Sequence, residues 1–152
     1  MAADDFADFY AAGFRTVSAA VRAFCGNADV AHEATQEAFA RAYARWPRVR
    51  DSAYPQAWVT KTAINLTRRH FRSRSGMAAT TDSAGPSADR VDLLSALRAL
   101  PERQRQAVVL HYLIDSPLAA VAEVMGISEG AVKAHLFKAR AALRGELEVG
   151  HA

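Results

Sequence analysis

The sequence predicts an all-α protein made of two small helical domains joined by a flexible linker. Three observations lead to this prediction. Apolar residues recur at the helical spacing of i, i+3, i+4 and i+7 through most of the 152 residues. Proline and glycine stand at the ends of these periodic segments, where helices begin and stop. Sustained period-two alternation of β-branched residues, which would indicate strands, is absent from the sequence.

Two helices are predicted in the first 47 residues. The first closes at Gly26, a residue type favoured just after a helix end. Its apolar stripe consists of Phe6, Tyr10, Phe14 (or Gly13), Val17, Val21 and Phe24. We expect Asp29 to cap the second helix and Pro47 to stop it. The apolar residues of that helix are Val30, Ala34, Ala38, Tyr43 and Trp46.

A polar loop over residues 48–54 should lead to a third helix, because Pro55 suits a first helical turn. The buried side of this helix is predicted to hold Trp58, Val59, Ala63, Leu66 and Phe71. Residues 75–89 are small, polar and turn-prone, with almost nothing to bury, which is typical of a flexible linker. We therefore place one domain at 1–75, the linker at 76–90 and the other domain at 91–147.

The second domain should begin with two short helices. Their apolar residues are Val91, Leu94 and Leu97, then, after a start at Pro101, Val108, Val109, Leu110 and Leu113. We expect Ser116 to cap the next helix, with Pro117 in its first turn and Gly126 at its end. Its inner face consists of Leu118, Val121, Ala122 and Met125.

Residues 118–144 are typical of a helix-turn-helix unit. Ser128 can cap the second helix, and Glu129 in its first turn suits the helix dipole. The predicted inward face is Val132, Leu136, Ala139 and Leu143. Phe137 would be an exposed aromatic between two lysines, placed to pack on a thymine methyl group or a sugar. The alternative is an ordinary helical hairpin in which Phe137 is buried.

The distribution of charge indicates contacts with a polyanion. The net charge is only +3, from 19 Lys and Arg against 16 Asp and Glu. Two stretches nevertheless contain basic residues and no acid. They are 53–80, with Lys61, Arg68, Arg69, Arg72 and Arg74, and 131–144, with Lys133, Lys138, Arg140 and Arg144. Such stretches favour nucleic-acid binding, although each alone could be a solvated helix face.

Several classes of protein are disfavoured by what the sequence lacks. Cys25 is the only cysteine, which excludes an intramolecular disulfide and a cysteine-based zinc site. Histidines are scattered, and a glycine-rich phosphate loop is missing, so we expect no catalytic site, no metal and no cofactor. No apolar run reaches the roughly 18 residues of a membrane span, so we expect a cytoplasmic protein without membrane insertion.

Four motifs in order along the chain resemble those of one protein family. They are TQEAFARAY (35–43), AWV with AINL (57–59 and 63–66) before the arginine run 68–74, LPERQR (100–105) and VMGISEGAVKAHL (124–136). Together they are similar to the extracytoplasmic-function (group IV) branch of the bacterial sigma-70 factors, over nearly the whole chain. This resemblance implies a region 2 bundle of three to four helices and a region 4 helix-turn-helix unit. It also implies promoter-specific transcription initiation.

The resemblance implies that core RNA polymerase and promoter DNA are the partners. In this family region 2.2 docks on the coiled-coil clamp helices of the polymerase β′ subunit, and region 4 meets the β flap. The matching polar side chains here are Asp29, Glu33, Gln36, Glu37 and Arg41. A solvent-exposed face would be the other interpretation of these residues. The flexible linkage is also compatible with an anti-sigma factor that clamps the two domains.

The resemblance also assigns residues to the minus-10 element. Region 2.3 and the loop before it melt this element by holding a flipped base, so the 48–54 loop should form the rim of the base pocket. Asn65 matches the position that reads the base edge, and the arginines would bind phosphates. The candidate residues are Arg48, Asp51, Tyr54, Lys61, Asn65, Arg68, Arg69 and Arg72. We interpret Trp58 as a core residue rather than a stacking platform.

The minus-35 element would be read by the second helix of the helix-turn-helix unit. The candidate residues are Ser128, Glu129, Gly130, Lys133, Ala134, Phe137, Lys138 and Arg140. The chain departs from the family here, since Ala131, Ala134 and His135 stand where Thr, Ser and Arg are usual. In the first helix of the unit, Leu118 and Ala120 replace a common Tyr and Glu. Minus-35 recognition should therefore depend more on DNA shape and on lysine contacts. In region 2.2, His32-Glu33 replaces a Glu-Asp pair, so we expect polymerase docking to be weaker than usual or compensated by other residues.

Three alternatives remain open at this stage. An enzyme would require a metal or a turnover that the sequence does not suggest. A stand-alone helix-turn-helix regulator would explain residues 118–144 but leaves the basic helical half, 36–74, without a role. A protein that mimics a sigma factor without initiating transcription would carry the same motifs. DNA binding by the chain alone distinguishes the regulator, because a sigma factor should bind promoters poorly without core polymerase.

Overall fold

The computed structural model describes the backbone of residues 2–73 and 88–150 and the side chains of residues 5–73 and 93–146. All regular structure in these ranges is helical, so the prediction of an all-α fold is confirmed. The first domain contains α1 (Ala2–Cys25), α2 (Ala28–Ala44), α3 (Trp46–Asp51) and α4 (Pro55–Ser73). The second contains α5 (Ala88–Ala99), α6 (Glu102–Val108), a π-helical turn (Val109–Leu113), α7 (Leu118–Met125) and α8 (Glu129–Gly150).

Some sequence-based expectations fall outside these ranges. Most of the predicted linker, 76–90, is not among the described residues, and neither are the side chains of Arg74 and Val91. The described part of the linker, 88–90, already belongs to α5.

Helices α1 and α2 meet at a tight corner. Gly26 has a φ of +76°, the left-handed conformation expected of a residue that ends a helix, which confirms that prediction. The capping prediction for Asp29 is wrong. Asn27 has extended backbone angles, and its Oδ1 accepts a hydrogen bond from the Val30 amide at 3.0 Å. Asp29 lies in the first turn, where its charge still suits the helix dipole.

The loop predicted over residues 48–54 is partly helical. Helix α2 ends at Ala44, before Pro47, and Pro47 occupies the first turn of α3. A proline is tolerated there because the first amides of a helix need no partner within it. Trp46 and Val49 are buried on the inner side of α3, and this burial stabilises a six-residue helix, the last four residues of which were assigned to the loop.

The first domain is a bundle in which α1, α2 and α4 pack against one another. Its largest fully buried side chains are Val17, Val21, Val30, Phe39, Val59 and Ile64. Aromatic rings cluster at one end, with the Phe6 and Trp46 ring centroids 5.4 Å apart in an edge-to-face arrangement. Tyr43, Tyr10 and Phe71 were predicted to be buried and are instead partly exposed, Tyr43 by 58%. They lie at the margins of their apolar stripes.

Helix α7 begins one residue later than expected. Pro117 precedes its first residue, and Ser116 does not act as the cap. The Ser116 amide donates to the Leu110 carbonyl at 3.0 Å, which ties the turn back to the π-helical segment. Gly126 ends α7 with a φ of +69°, and Ser128 Oγ accepts from the Ala131 amide at 3.0 Å. Both of these predictions are confirmed.

The π-helical turn interrupts the helix predicted to run through Leu113. The Ile114 amide donates to the Val109 carbonyl at 3.1 Å, across five residues instead of four. The extra residue changes the helical phase, so Leu110 is buried while Tyr112 and Leu113 are exposed. Asp115 follows with a φ of +57° and turns the chain towards α7.

The two domains pack against each other. Helix α1 contacts α5 and the π-helical turn, and α4 contacts α7. Buried apolar residues of both domains form one continuous core, which includes Val21 and Phe24 on one side and Leu97 and Leu100 on the other. The side chains that the sequence associates with DNA therefore lie on two modules that touch.

Candidate nucleic-acid interface

Helix α8 has one buried and one exposed side, as predicted. Val132, Leu136 and Ala139 are buried, and Leu143 packs against the core. The opposite side carries the candidate minus-35 residues, all exposed, namely Ser128, Glu129, Gly130, Lys133, Ala134, Phe137, Lys138 and Arg140. Glycine and alanine near the start of the helix allow close approach to a DNA groove, and the cations beyond them can reach phosphates.

Phe137 is exposed by 70%, so the alternative that buries it against a neighbour is wrong. A large aromatic ring in water is unfavourable unless a partner covers it. Lys133 and Lys138 on either side supply positive charge that would attract the phosphate backbone of DNA.

A hydrogen bond links the exposed face of α8 to the π-helical turn. Arg140 Nη1 donates to Tyr112 Oη at 2.9 Å, across 28 residues of sequence. Tyr112 was not among the sequence-predicted residues, and no spacing in the sequence would have indicated it. The bond holds the guanidinium beside the recognition face instead of leaving it to rotate freely.

A cavity of about 360 Å³ lies between α4 of the first domain and α7 of the second. It is lined by Ser52, Tyr54, Trp58, Lys61, Thr62, Asn65, Glu123 and Val124. Its volume is typical of a small ligand-binding cleft, and it combines an aromatic wall with amide, hydroxyl and ammonium groups. Such a lining can stack on one face of a nucleobase and form hydrogen bonds with its edge.

Three of the predicted minus-10 residues, Tyr54, Lys61 and Asn65, line this cavity. Arg48 and Asp51 do not, because they are exposed on α3 and not in a loop. Trp58 packs against the apolar core, as predicted, and also lines the cavity.

Lys61 brings a partly buried ammonium group to the lining of the cavity. Its Nζ donates to Asn65 Oδ1 at 2.8 Å and to Gln106 Oε1 at 2.9 Å. Burial lowers the pKa of Lys61 below its ordinary value because it removes water from the ammonium group. The positive charges of Arg103 and Arg68 lower this pKa further, while Glu102 opposes them.

The predicted phosphate-binding arginines lie on the exposed side of α4. Arg68, Arg69 and Arg72 are all exposed. Arg68 forms an ion pair with Glu102 of the second domain, and Arg69 Nη1 lies 3.6 Å from Glu37 Oε1. Exposed pairs of this kind are weak, so a phosphate can replace either carboxylate.

The predicted polymerase-binding face is on α2. Asp29, Gln36 and Arg41 are exposed, whereas Glu33 and Glu37 are half-buried. His70 of α4 lies between these two carboxylates, with Nδ1 3.3 Å from Glu33 Oε2 and Nε2 3.4 Å from Glu37 Oε2. The imidazole therefore lies against both α2 acids, while His70 Nε2 and Glu37 Oε2 are buried without a hydrogen-bond partner.

Metal ligands do not cluster in the part of the chain that the structure describes. No group of three His, Cys, Asp or Glu side chains there could hold a metal ion. None of the described helices is long and apolar enough to cross a membrane.

Family models match both halves of the chain. The sigma-70 region 2 model matches residues 9–76, and the sigma-70 region 4 model matches residues 90–143. An RNA polymerase sigma-E factor from Streptomyces antibioticus is 33% identical over 127 residues, which cover 78% of this chain and 71% of that protein. The ECF RNA polymerase sigma factor SigL of Mycobacterium tuberculosis is 31% identical, covering 81% of this chain and 77% of SigL.

Solved structures share the fold at lower sequence identity. The sigma factor RpoE of Bartonella quintana, solved with the anti-sigma factor NepR, has a TM-score of 0.79 and 21% identity, covering 95% of this chain and 98% of RpoE. CnrH, solved with the cytosolic domain of CnrY, has a TM-score of 0.69 and 23% identity, covering 95% of this chain and 88% of CnrH.

Proposed function

The chain belongs to the extracytoplasmic-function branch of the sigma-70 family of RNA polymerase sigma factors, and we propose how its residues divide that family's work. The function is promoter-directed initiation of transcription with core RNA polymerase. Two DNA elements and the β′ clamp helices of core polymerase have to be bound, and each matches a distinct set of side chains described above.

Region 4, which we assign to residues 91–147, binds the minus-35 element through α8. The observation that supports this assignment is the exposed Phe137 between Lys133 and Lys138. The lysines contact phosphates or guanine edges, and the phenyl ring packs on a thymine methyl group. Because small alanines replace the usual hydroxyl side chains, DNA shape contributes a larger share of recognition.

Region 2, which we assign to residues 1–75, opens the minus-10 element at the cavity beside α4. Extrusion of a base from the stack costs a few kcal/mol, which a pocket has to offset. Asn65 and Lys61 meet the polar edge of the flipped base, and Trp58 and Tyr54 supply aromatic contact. Arg68, Arg69 and Arg72 then hold the backbone of the nontemplate strand.

The polar face of α2 docks on the β′ clamp helices of core polymerase. Asp29, Gln36 and Arg41 supply exposed charge and hydrogen-bonding groups. His70 packs between Glu33 and Glu37 and limits the rotation of both side chains, so that less side-chain freedom is lost on docking. Region 4 makes the second polymerase contact at the β flap.

The protein acts by binding and transfers no chemical group. We assign it to the cytoplasm because the chromosome and core polymerase are its partners. An anti-sigma factor that clamps the two domains is a further partner in this proposal, in keeping with the complexes in which the two structural relatives were solved.

Transcription in vitro tests the function directly. Purified chain and core polymerase are combined over a promoter library, and transcripts are sequenced. The proposal expects specific start sites only when both proteins are present, with weak footprints from the chain alone. A strong footprint from the chain alone, with no transcript when core polymerase is added, would instead identify a stand-alone regulator.

A further inference from the structure

We propose that Tyr112 and Arg140 together form a binding site for one phosphate of the DNA backbone at the edge of the minus-35 element. The inference deepens the proposed function of α8 and rests on it. Neither sequence spacing nor the family resemblance assigns a role to Tyr112.

The π-helical turn brings Tyr112 to the surface. In this turn the Ile114 amide donates to the Val109 carbonyl at 3.1 Å, which adds one residue to the turn. The Tyr112 side chain is 50% exposed, although it is a large aromatic. Turns of this type are rare and occur frequently at functional sites. The irregular turn therefore presents an aromatic hydroxyl at the surface.

The neighbouring imidazole restricts the Tyr112 ring. His111 Nδ1 lies 2.9 Å from the Ser116 carbonyl oxygen and donates to it, because a carbonyl oxygen can only accept. The ring centroids of His111 and Tyr112 lie 4.8 Å apart, with an interplanar angle of 70°. An imidazole that is bonded to the backbone thus limits the rotation of the phenol ring.

The contact between Tyr112 and Arg140 leaves both groups able to bind an anion. Arg140 Nη1 donates to Tyr112 Oη at 2.9 Å. Because the acceptor is neutral, the guanidinium keeps its full charge, and its other N–H groups can donate elsewhere. The phenol oxygen accepts this bond and still has its own hydrogen to donate. Both side chains can therefore donate to the same phosphate, whereas a carboxylate at position 112 would compete with that phosphate for Arg140.

The sequence of α8 adds no negative charge beside Arg140. The residues one turn before and one turn after it are Leu136, Phe137, Leu143 and Arg144. Arg144 adds a second positive charge, and Phe137 is exposed by 70%. This part of α8 therefore attracts a phosphate, and no acid of its own helix lies within one turn to neutralise Arg140.

The place of Arg140 along α8 corresponds to the DNA backbone and not to the base edges. It lies about three turns after Glu129, the first residue of the helix, or roughly 16 Å along the axis. The major groove is about 12 Å wide. When the N-terminal end of a recognition helix meets the bases, a side chain this far along lies at the rim of the groove, where the phosphates are.

The test measures promoter binding by the holoenzyme when one backbone phosphate at a time is replaced by a neutral methylphosphonate. The duplex carries the minus-35 element of a promoter identified by transcription in vitro with this chain. Tyr112→Phe keeps the ring and removes only the hydroxyl, and Arg140→Ala removes the guanidinium. Tyr10→Phe removes a hydroxyl from a tyrosine of α1 that is 40% exposed, so it is the matched control.

We expect Tyr112→Phe to bind the unmodified duplex about three- to tenfold more weakly than the wild type, and Arg140→Ala about tenfold or more, with Tyr10→Phe unchanged. Because the two residues share one phosphate, Tyr112→Phe should weaken binding by less than about twofold when Arg140 is already alanine. One methylphosphonate should weaken binding by the wild type and leave binding by both variants unaffected.

Wild-type affinity of Tyr112→Phe, or equal losses from this change with and without Arg140, would overturn the proposal. A lower urea midpoint for Tyr112→Phe, with wild-type sensitivity to every methylphosphonate, would also overturn it, because the hydroxyl would then serve the fold. If the wild-type chain gave no transcript with core polymerase, the proposed function would fail. The same comparison of variants on any duplex at low salt would still decide the phosphate site.

Discussion

Lys61 Nζ lies 2.8 Å from Asn65 Oδ1, one helical turn away on α4. Because Oδ1 accepts from the ammonium group, the amide is oriented, and its Nδ2 hydrogens can be offered to an acceptor on a base edge. A lysine whose positive charge is costly to bury thus fixes the group that the family resemblance assigns to base reading.

Asn65→Ala should impair DNA opening and leave polymerase binding intact. Loss of the amide removes hydrogen bonds made only to the flipped base, so open complexes should decrease roughly tenfold. Gln36→Ala removes the same kind of group from the α2 face and should do the reverse. Permanganate footprinting measures opening, and fluorescence titration measures polymerase affinity. Equal losses of both for Asn65→Ala would remove the residue from the base pocket.

Replacement of Lys133 and Lys138 by Ala should reduce the salt dependence of promoter binding. Each lost phosphate contact lowers the log-log slope by about 0.9, so the slope should decrease by about 1.8. The control is Arg15→Ala with Arg45→Ala, which removes two exposed charges from the first domain. An unchanged slope in the lysine variant would place those side chains outside the interface.

Phe137→Ala should weaken minus-35 binding by about 1 kcal/mol and change the free energy of unfolding by less than about 0.5 kcal/mol. The ring is mostly in water in the free protein, so its loss removes little packing. Tyr43→Ala truncates another exposed aromatic and should leave minus-35 affinity unchanged. Binding is measured by holoenzyme titration, and stability by urea denaturation. A large loss of stability would mean that the ring packs within the protein.

The Cys25 thiol should react slowly with iodoacetamide in the folded chain, about a hundredfold or more slower than in guanidinium. Burial raises the pKa of this thiol above its ordinary value of about 9, against the lowering effects of a backbone hydrogen bond and of Arg98 and Arg105. Because the thiolate is the nucleophile, the rate should still be rising with pH above about 9. Mass spectrometry follows this single thiol.

The same labelling reports on the contact between the domains, because Cys25 adjoins Phe24 and Gly26. Glu102→Lys removes the ion pair with Arg68 between the domains and should accelerate the labelling of Cys25. Glu146→Lys makes the same change of charge at an exposed position of α8 and should not. Rapid labelling of the wild-type chain would contradict both the burial of Cys25 and the packing of the two domains against each other.

Much of the fold could be predicted because its determinants are local. Gly26, Gly126 and Ser128 act through their own backbone or through residues three positions away. Helix α3 and the π-helical turn were missed because they depend on tertiary burial of Trp46 and on one extra residue in a turn. Neither of these two features produces a periodic pattern of apolar residues in the sequence.

The sequence indicated candidate residues of the site but not the contacts that these residues make with one another. Phe137 is exposed, as its spacing indicated, and Asn65 lines the cavity beside α4, while the roles of both residues in DNA binding stay predictions. The partners of the site residues could not be predicted, since Lys61 meets Gln106 45 positions away and Arg140 meets Tyr112 28 positions away. Single-sequence periodicity carries no information about such pairs.

The continuous apolar core makes the contact between the domains respond to temperature. Burial of apolar surface is driven by the entropy of water near 25 °C, and it weakens as the solution cools. Domains held together by apolar contacts therefore separate more readily on cooling than domains held together by ion pairs alone. The fraction of molecules whose two domains are separated would therefore rise as the temperature falls, without any binding partner.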